Sequence, residues 1–187
     1  VLDGRPVELV RTRPWPLPAL PDNVAEAGVD RVDRRGVHVR VLPPPPPPEA
    51  RIVVTDSAVT DAPDGVPTVL LHPRSLVVGM GCNRDTPVDA LDALLTRTLA
   101  EAGLARESVA CLVSVDAKAD EAGLVALAGR LGVPFVTYPA GELAAHDVPH
   151  PSAAPARAVG TPSVAEASVL ARGAELVVPK RKTPDAT

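Results

Sequence analysis

The chain has 187 residues, with 19 lysines and arginines against 23 aspartates and glutamates, for a formal net charge of −4. That length buries a real core, in one domain with an appendage or in two small ones. The negative balance argues against a protein held to nucleic acid or a membrane surface by its net field. Trp, Tyr and Phe occur once each, which leaves little for base stacking and makes single-stranded nucleic acid a poor partner.

With so few aromatics the core must be Ala, Val and Leu, small residues that suit helices packed closely on a sheet, and an α/β layer fold is expected. Cys82 and Cys111 lie in no CxxC or Cys/His spacing, so neither a disulfide framework nor a resident metal is expected, and a reducing cytoplasm fits. No apolar run reaches the length of a membrane span and no signal-peptide pattern opens the chain.

In chain order, VELV at 7–10 reads as a short strand, and the prolines at 14, 16 and 18 exclude helix after it. VHVRVL at 37–42 alternates apolar and polar positions as a half-buried strand does, then meets six consecutive prolines, Pro43 to Pro48. Six residues of polyproline II at about 3.1 Å each make a spacer of roughly 19 Å. RIVVT (51–55) and TVLL (68–71) are strands separated by the turn-rich DAPDG.

From Leu76 the pattern becomes regular. LVVGM (76–80) is a strand, followed by a glycine loop and a helix opened by Thr86, with Pro87 at its first position and Asp89 at capping-box spacing. Val88, Leu91, Leu94, Leu95 and Leu99 fall on one face of that helix, and Gly103 stops it. A second unit repeats the scheme: strand ACLVSV (110–115), charged loop DAKADE, helix 121–131, and a buried strand VPFVTY (133–138). Strands alternating with helices imply parallel pairing.

A short helix is expected through 139–146, then a proline-containing loop. A last helix over 160–173 takes Thr161 as its cap and Pro162 as its first residue, and ELVVPKRK closes the chain as a strand. The whole reads as a three-layer α/β/α domain with a mainly parallel sheet from residue 76, preceded over 1–75 by a small strand-rich, proline-rich segment.

Three loops carry candidate chemistry. Gly79-Met80-Gly81-Cys82-Asn83-Arg84 leaves a strand and enters a helix through backbone amides with a cation beside them, a turn that suits anions. It is neither a dinucleotide fingerprint, since Arg84 stands where the third glycine belongs, nor a phosphate loop; a plain tight turn explains it equally. Cys82 near a helix N-terminus is a candidate nucleophile without an identifiable histidine partner, and a small packed thiol is the alternative.

The second loop sets Asp116, Lys118, Asp120 and Glu121 at the end of a parallel strand, where ligands collect in open α/β sheets. Asp116 or Glu121 suits a general base and Lys118 an oxyanion or carboxylate, although Asp120 and Glu121 are also explained by the helix dipole. Lys118 is one of three lysines; the others, Lys180 and Lys182, flank Arg181 in a basic cluster that either meets an anion or is a solvated tail. In the third loop Gly160, Thr161 and Ser163 form another helix entrance suited to an anion, with Glu166, a third candidate catalytic carboxylate, one turn on. Three such entrances together suit a molecule with several carboxylates.

The ordered segments VVGMGCNRDTP, SVDAKADEAGLVALAGRLGVP, GTPSVAEASVLARG and ELVVPKRK resemble the CbiG family, described as cobalt-precorrin-5A hydrolases of cobalamin biosynthesis, and the related CobE proteins, which consist of this domain alone. The resemblance covers Leu76 to Thr187 and, more faintly, Arg51 to Pro73, which looks like the middle region of CbiG. It implies a cobalt-bearing tetrapyrrole substrate rich in acetate and propionate groups, whose lactone is opened by water with loss of acetaldehyde. No cofactor is implied, since the cobalt belongs to the substrate. By motif, Gly79, Gly81, Cys82 and Arg84 match the first loop of the family, Asp116, Lys118 and Glu121 the second, and Gly160, Thr161, Ser163 and Glu166 the third. The family has a further N-terminal domain and continues past the last segment, so the chain is expected to be a piece of a longer protein. In some bacteria a similar domain is fused to a precorrin-3B C17-methyltransferase, which makes an accessory role the alternative.

Overall fold

The computed structural model describes residues 4–27, 47–58, 65–152, 161 and 163–187. They divide into two compact units, Val1–Asp56 with Thr60–Pro73, and Ser57–Val59 with Arg74–Thr187. The strand expected at 37–42 and most of the proline tract lie outside the described residues.

The first unit is a parallel sheet of four strands, β1 (Val7–Arg11), β2 (Val24–Glu26), β3 (Ala50–Val54) and β4 (Thr68–Leu71), in the order β2-β1-β3-β4. Three of these coincide with the aliphatic runs of the sequence. The three-residue β2 was not foreseen, because VAE carries no alternation long enough to read. Val7 and Leu9 of the interior strand β1 are buried, whereas Val69, Leu70 and Leu71 of the edge strand β4 are exposed. At the ends of β1, β3 and β4, Thr12 Oγ1 donates to Thr55 Oγ1 at 3.1 Å and His72 Nδ1 lies 2.8 Å from the Thr55 carbonyl.

The second unit contains β5 (Leu76–Gly79), α1 (Val88–Glu101), β6 (Val109–Val115), α2 (Ala122–Leu131), β7 (Phe135–Tyr138), α3 (Ala140–Ala144) and α4 (Val164–Ala171). Its sheet is parallel, in the order β5-β6-β7. The middle strand VACLVSV is apolar almost throughout because both of its faces are covered. Leu112 packs with Leu91, Leu94, Leu95 and Leu99 of α1 and Leu124 and Leu127 of α2. On the opposite face Val115 packs with Leu143 of α3 and with Val164 and Ala167 of α4, and Cys111 and Val113 with Val169. Each such leucine or valine taken from water contributes about 1.5–3 kcal/mol, which is why the heptad-like spacing of α1 fixes its orientation.

Two glycines permit the close layers. A Cβ on Gly79 would lie 1.9 Å from the Ala165 carbonyl oxygen, and one on Gly123 would lie 2.2 Å from that of Thr86. Backbone meets backbone at both points, so α4 presses directly on β5 and α2 on the turn before α1.

Four local expectations are corrected. Thr86 does not cap α1: its hydroxyl donates to the Asn83 carbonyl at 2.9 Å, and Pro87 takes the cap position. Ser163, not Thr161, caps α4, accepting the Glu166 N–H at 3.4 Å. β7 is only partly buried along its length, because it lies at the sheet edge. ELVVPKRK forms no strand. Its Leu176 packs onto the Cys111 and Val169 cluster, and residues 176–180 line, with residues 76–79, a cavity of about 120 Å³.

The glycine loop is tied down by a distant segment. Gly81 N–H donates to the Thr187 carbonyl at 2.9 Å, Thr187 N–H returns to Gly81 at 2.8 Å, and Asn83 N–H donates to the Asp185 carbonyl at 2.8 Å. No helix among the described residues is long and apolar enough to cross a membrane.

Candidate functional site

The loops that follow β5 and β6 and the N-terminus of α4 meet at the C-terminal edge of the second sheet. Val164, the first residue of α4, has its Cβ 3.3 Å from where Gly81 would carry one. On the other side of the same loop, the charges of Lys118 and Glu121 act on the Cys82 thiol. The glycine loop therefore lies between two clusters of polar side chains.

The first cluster is built on Glu121. Its side chain is 2% exposed and accepts Lys118 Nζ at 2.8 Å and the Asp85 N–H at 2.7 Å. Asp85 reaches that position with φ of 58°, in the left-handed region that aspartate tolerates better than most residues. The hydrogen bond from Lys118, helped by that from Asp85, holds the Glu121 carboxyl below the usual carboxylate range. Burial pushes the Cys82 thiol up, against the pull of Lys118, and Cys82 packs against the leucine core of α1 and α2.

The second cluster is built on Glu166, whose side chain is also 2% exposed. Both of its oxygens go to His150: Oε1 lies 2.7 Å from the ring Nδ1 and Oε2 accepts the backbone N–H at 3.2 Å. Lys180 Nζ donates to the His150 carbonyl and stands 3.3 Å from Ser163 Oγ. Burial pulls the Lys180 ammonium down from its ordinary value, with Glu166 opposing it. Lys182 Nζ is 3.3 Å from Ser152 Oγ. Thr161 is fully buried and its hydroxyl has no partner among the described residues.

This is a parallel sheet under paired helices, with its polar side chains collected at the strand ends and glycines where the layers touch. The stretch that forms it, residues 76–187, matches the family model described as Cobalamin synthesis G C-terminus. The chain belongs to this family. It is 36% identical over 121 residues to a cobalt-precorrin-5A hydrolase of Priestia megaterium, an alignment covering 64% of this chain and 32% of that protein. It is 37% identical over 117 residues to protein CobE of a Sinorhizobium species, covering 60% of this chain and 76% of the relative. The 1.7 Å crystal structure of CobE, a protein from the cobalamin biosynthetic pathway, superposes with a TM-score of 0.55 at 36% identity, over 62% of this chain and 89% of that one. The chain thus spans about a third of the first of these relatives and most of the second.

Within the cobalamin synthesis G C-terminal domain, the candidate residues separate by role. Gly79 and Gly81 serve close packing. Gly81 and Asn83 have their amides bonded to residues 185–187, so these two N–H groups of the first loop are engaged internally. Arg84 is exposed and pairs at 3.6 Å with exposed Asp120. Asp116 is exposed in a 3₁₀ turn, its carbonyl accepting from Ala119. Lys118 and Glu121 join in one ion pair, while Ser163, Glu166 and Lys180 gather around a residue that sequence reading passed over, His150. Gly160 lies outside the described residues. The signal available for His150 was its setting in Pro149-His150-Pro151, where a following proline restricts the backbone to extended conformations.

Proposed function

We propose that this chain works in cobalamin biosynthesis by receiving a carboxylate-rich cobalt-precorrin at the C-terminal edge of its second sheet and opening the lactone of that substrate with water, with release of acetaldehyde. The observation that carries the reading is the polar edge itself. Lys118, Lys180, Lys182 and Arg84 stand on loops around one strand edge, beside two buried carboxylates and a half-exposed histidine, on a domain whose relatives include cobalt-precorrin-5A hydrolases. Ammonium and guanidinium groups suit the acetate and propionate arms of a tetrapyrrole. Cobalt, on this reading, enters with the substrate, and the two free cysteines suit a reducing cytoplasm.

Incubation of the chain with cobalt-precorrin-5A, with acetaldehyde read by a coupled dehydrogenase, tests the proposal. Acetaldehyde in proportion to substrate consumed is the expected result; its absence, with the corrin still bound, overturns hydrolysis. The second reading is a corrin-binding or accessory domain, including one that serves a fused precorrin-3B C17-methyltransferase. It is favoured by the extent of the match to CobE, 76% of whose length is covered, and by the internal bonding of the glycine-loop amides. Its expected result is a spectral shift on titrating cobyrinic acid without turnover of the lactone.

A further inference from the structure

We infer that His150, held by Glu166, accepts the proton of the water that attacks the lactone carbonyl; this rests on the hydrolytic reading above.

The geometry sets His150 apart from the other polar groups of this edge. A carboxylate is acceptor-only, so its 2.7 Å contact with Nδ1 places the proton on Nδ1 and leaves the lone pair on Nε2. The second Glu166 oxygen takes the backbone N–H of the same residue, and Lys180 donates to its carbonyl, so ring and backbone are held at three points. The anchor is itself fixed. Glu166 is in the first turn of the eight-residue α4, where the helix dipole favours its charge, and α4 is seated on Gly79 without an intervening side chain.

The ring, meanwhile, is about half exposed, with 53% of its side chain open to solvent against 2% for Glu166. A buried carboxylate orienting a solvent-reaching imidazole is the base half of a hydrolytic constellation. Glu121 has no such freedom, since its oxygens serve Lys118 and Asp85. Asp116 is exposed.

In the proposed step, water oxygen bonds to the lactone carbonyl carbon as one water proton passes to Nε2. The carbonyl electron pair moves onto its oxygen, and the resulting oxyanion is stabilised by the Lys180 ammonium. Collapse of the oxyanion breaks the acyl C–O bond of the ring, and the leaving oxygen takes the proton back from Nε2. The first products are a carboxylic acid and an alcohol with the imidazole regenerated; the alcohol then gives up its O–H proton as its C–C bond to the macrocycle breaks, the electron pair left on the macrocycle carbon takes up a proton, and acetaldehyde leaves, so that one water is the only co-reactant consumed.

The test compares wild type, His150→Gln and Glu166→Gln as full chains acting on cobalt-precorrin-5A, with acetaldehyde as the readout. His150→Gln should lower kcat by roughly 10²- to 10⁴-fold, the usual worth of a positioned general base, with KM changed by less than about threefold. Glu166→Gln should lower kcat by on the order of 100-fold, the usual cost of a misplaced catalytic group, again with KM changed by less than about threefold. If wild type releases acetaldehyde and His150→Gln does so within threefold, the inference fails and the function stands. If wild type binds cobyrinic acid and releases none, both fail. Should His150→Gln not fold, diethyl pyrocarbonate on wild type decides: carbethoxylation of His150, mapped by mass spectrometry, must abolish turnover and be slowed by cobyrinic acid. Full turnover with His150 modified overturns the inference.

Discussion

Glu121 and Glu166 stand at helix starts on the same edge of the same sheet, each with a 2% exposed side chain, yet they hold opposite kinds of partner. Glu121 gives its oxygens to a lysine and a backbone amide. Glu166 gives both oxygens to a histidine that reaches solvent. A buried carboxylate at a strand end is therefore not a sign of chemistry by itself; these two differ in the exposure of the partner, 14% for Lys118 and 53% for His150.

The largest expected effect removes the frame that both glutamates share. Gly79→Val puts side-chain atoms into the Ala165 carbonyl, and because the obstacle is backbone it should cost about 3 kcal/mol or more and lower the thermal midpoint by several degrees. Gly81→Ala, with a 3.3 Å contact to a side chain that is able to shift, should cost distinctly less, and equal losses would remove the close-approach argument.

Glu121→Gln comes next, at about 2 kcal/mol from its weakened charged hydrogen bonds, with a mark in the pH dependence. A carboxyl held below its ordinary value of 4.5 in the folded state contributes its stability in full above that value. The contribution is lost as pH falls through the lower folded value. Urea midpoints of wild type should therefore fall across the acid range more steeply than those of Glu121→Gln. Parallel curves would show that the Lys118 pair is not the acid-sensitive brace. Paired with Glu166→Gln, the comparison sharpens: the Glu121 variant should lose more stability, and the Glu166 variant more turnover.

Ser163→Ala should cost about 1 kcal/mol through the lost cap of α4, whereas Thr161→Val, at a buried hydroxyl with no partner among the described residues, should be neutral or mildly stabilising. Chemical denaturation of the two variants checks which residue is the cap. Smallest of all, Arg84→Ala removes an exposed pair with Asp120 and should change stability by less than about 0.5 kcal/mol.

Much of the second unit was legible because its signals are local. The leucine spacing of α1, the unbroken apolar run of β6 and Gly132 after α2 each announce their element within a few residues. What misled were positions decided by distant partners. The Thr86 hydroxyl turns away from α1 toward Asn83, with Asp185 O 3.4 Å off. VVPK has strand character, yet it joins no ladder among the described residues and Val177 is left 52% exposed. Ser163-x-x-Glu166 is itself a capping-box spacing, but proline and threonine just before it drew the cap two residues too early. His150 escaped because its partner is a carboxylate 16 residues later, and no periodicity spans that gap.

The bond pairs between Gly81 or Asn83 and residues 185–187 join segments about a hundred positions apart. A contact of that sequence separation forms late, and during synthesis it has to wait for α4 and residues 172–187 to leave the ribosome. A nascent chain stalled just after α4 should exchange the Gly81 and Asn83 amides as freely as an open loop, with the α1 and α2 amides already protected. The shape of the edge between the two glutamates is in this sense a finishing step, set only after the layers around it have closed.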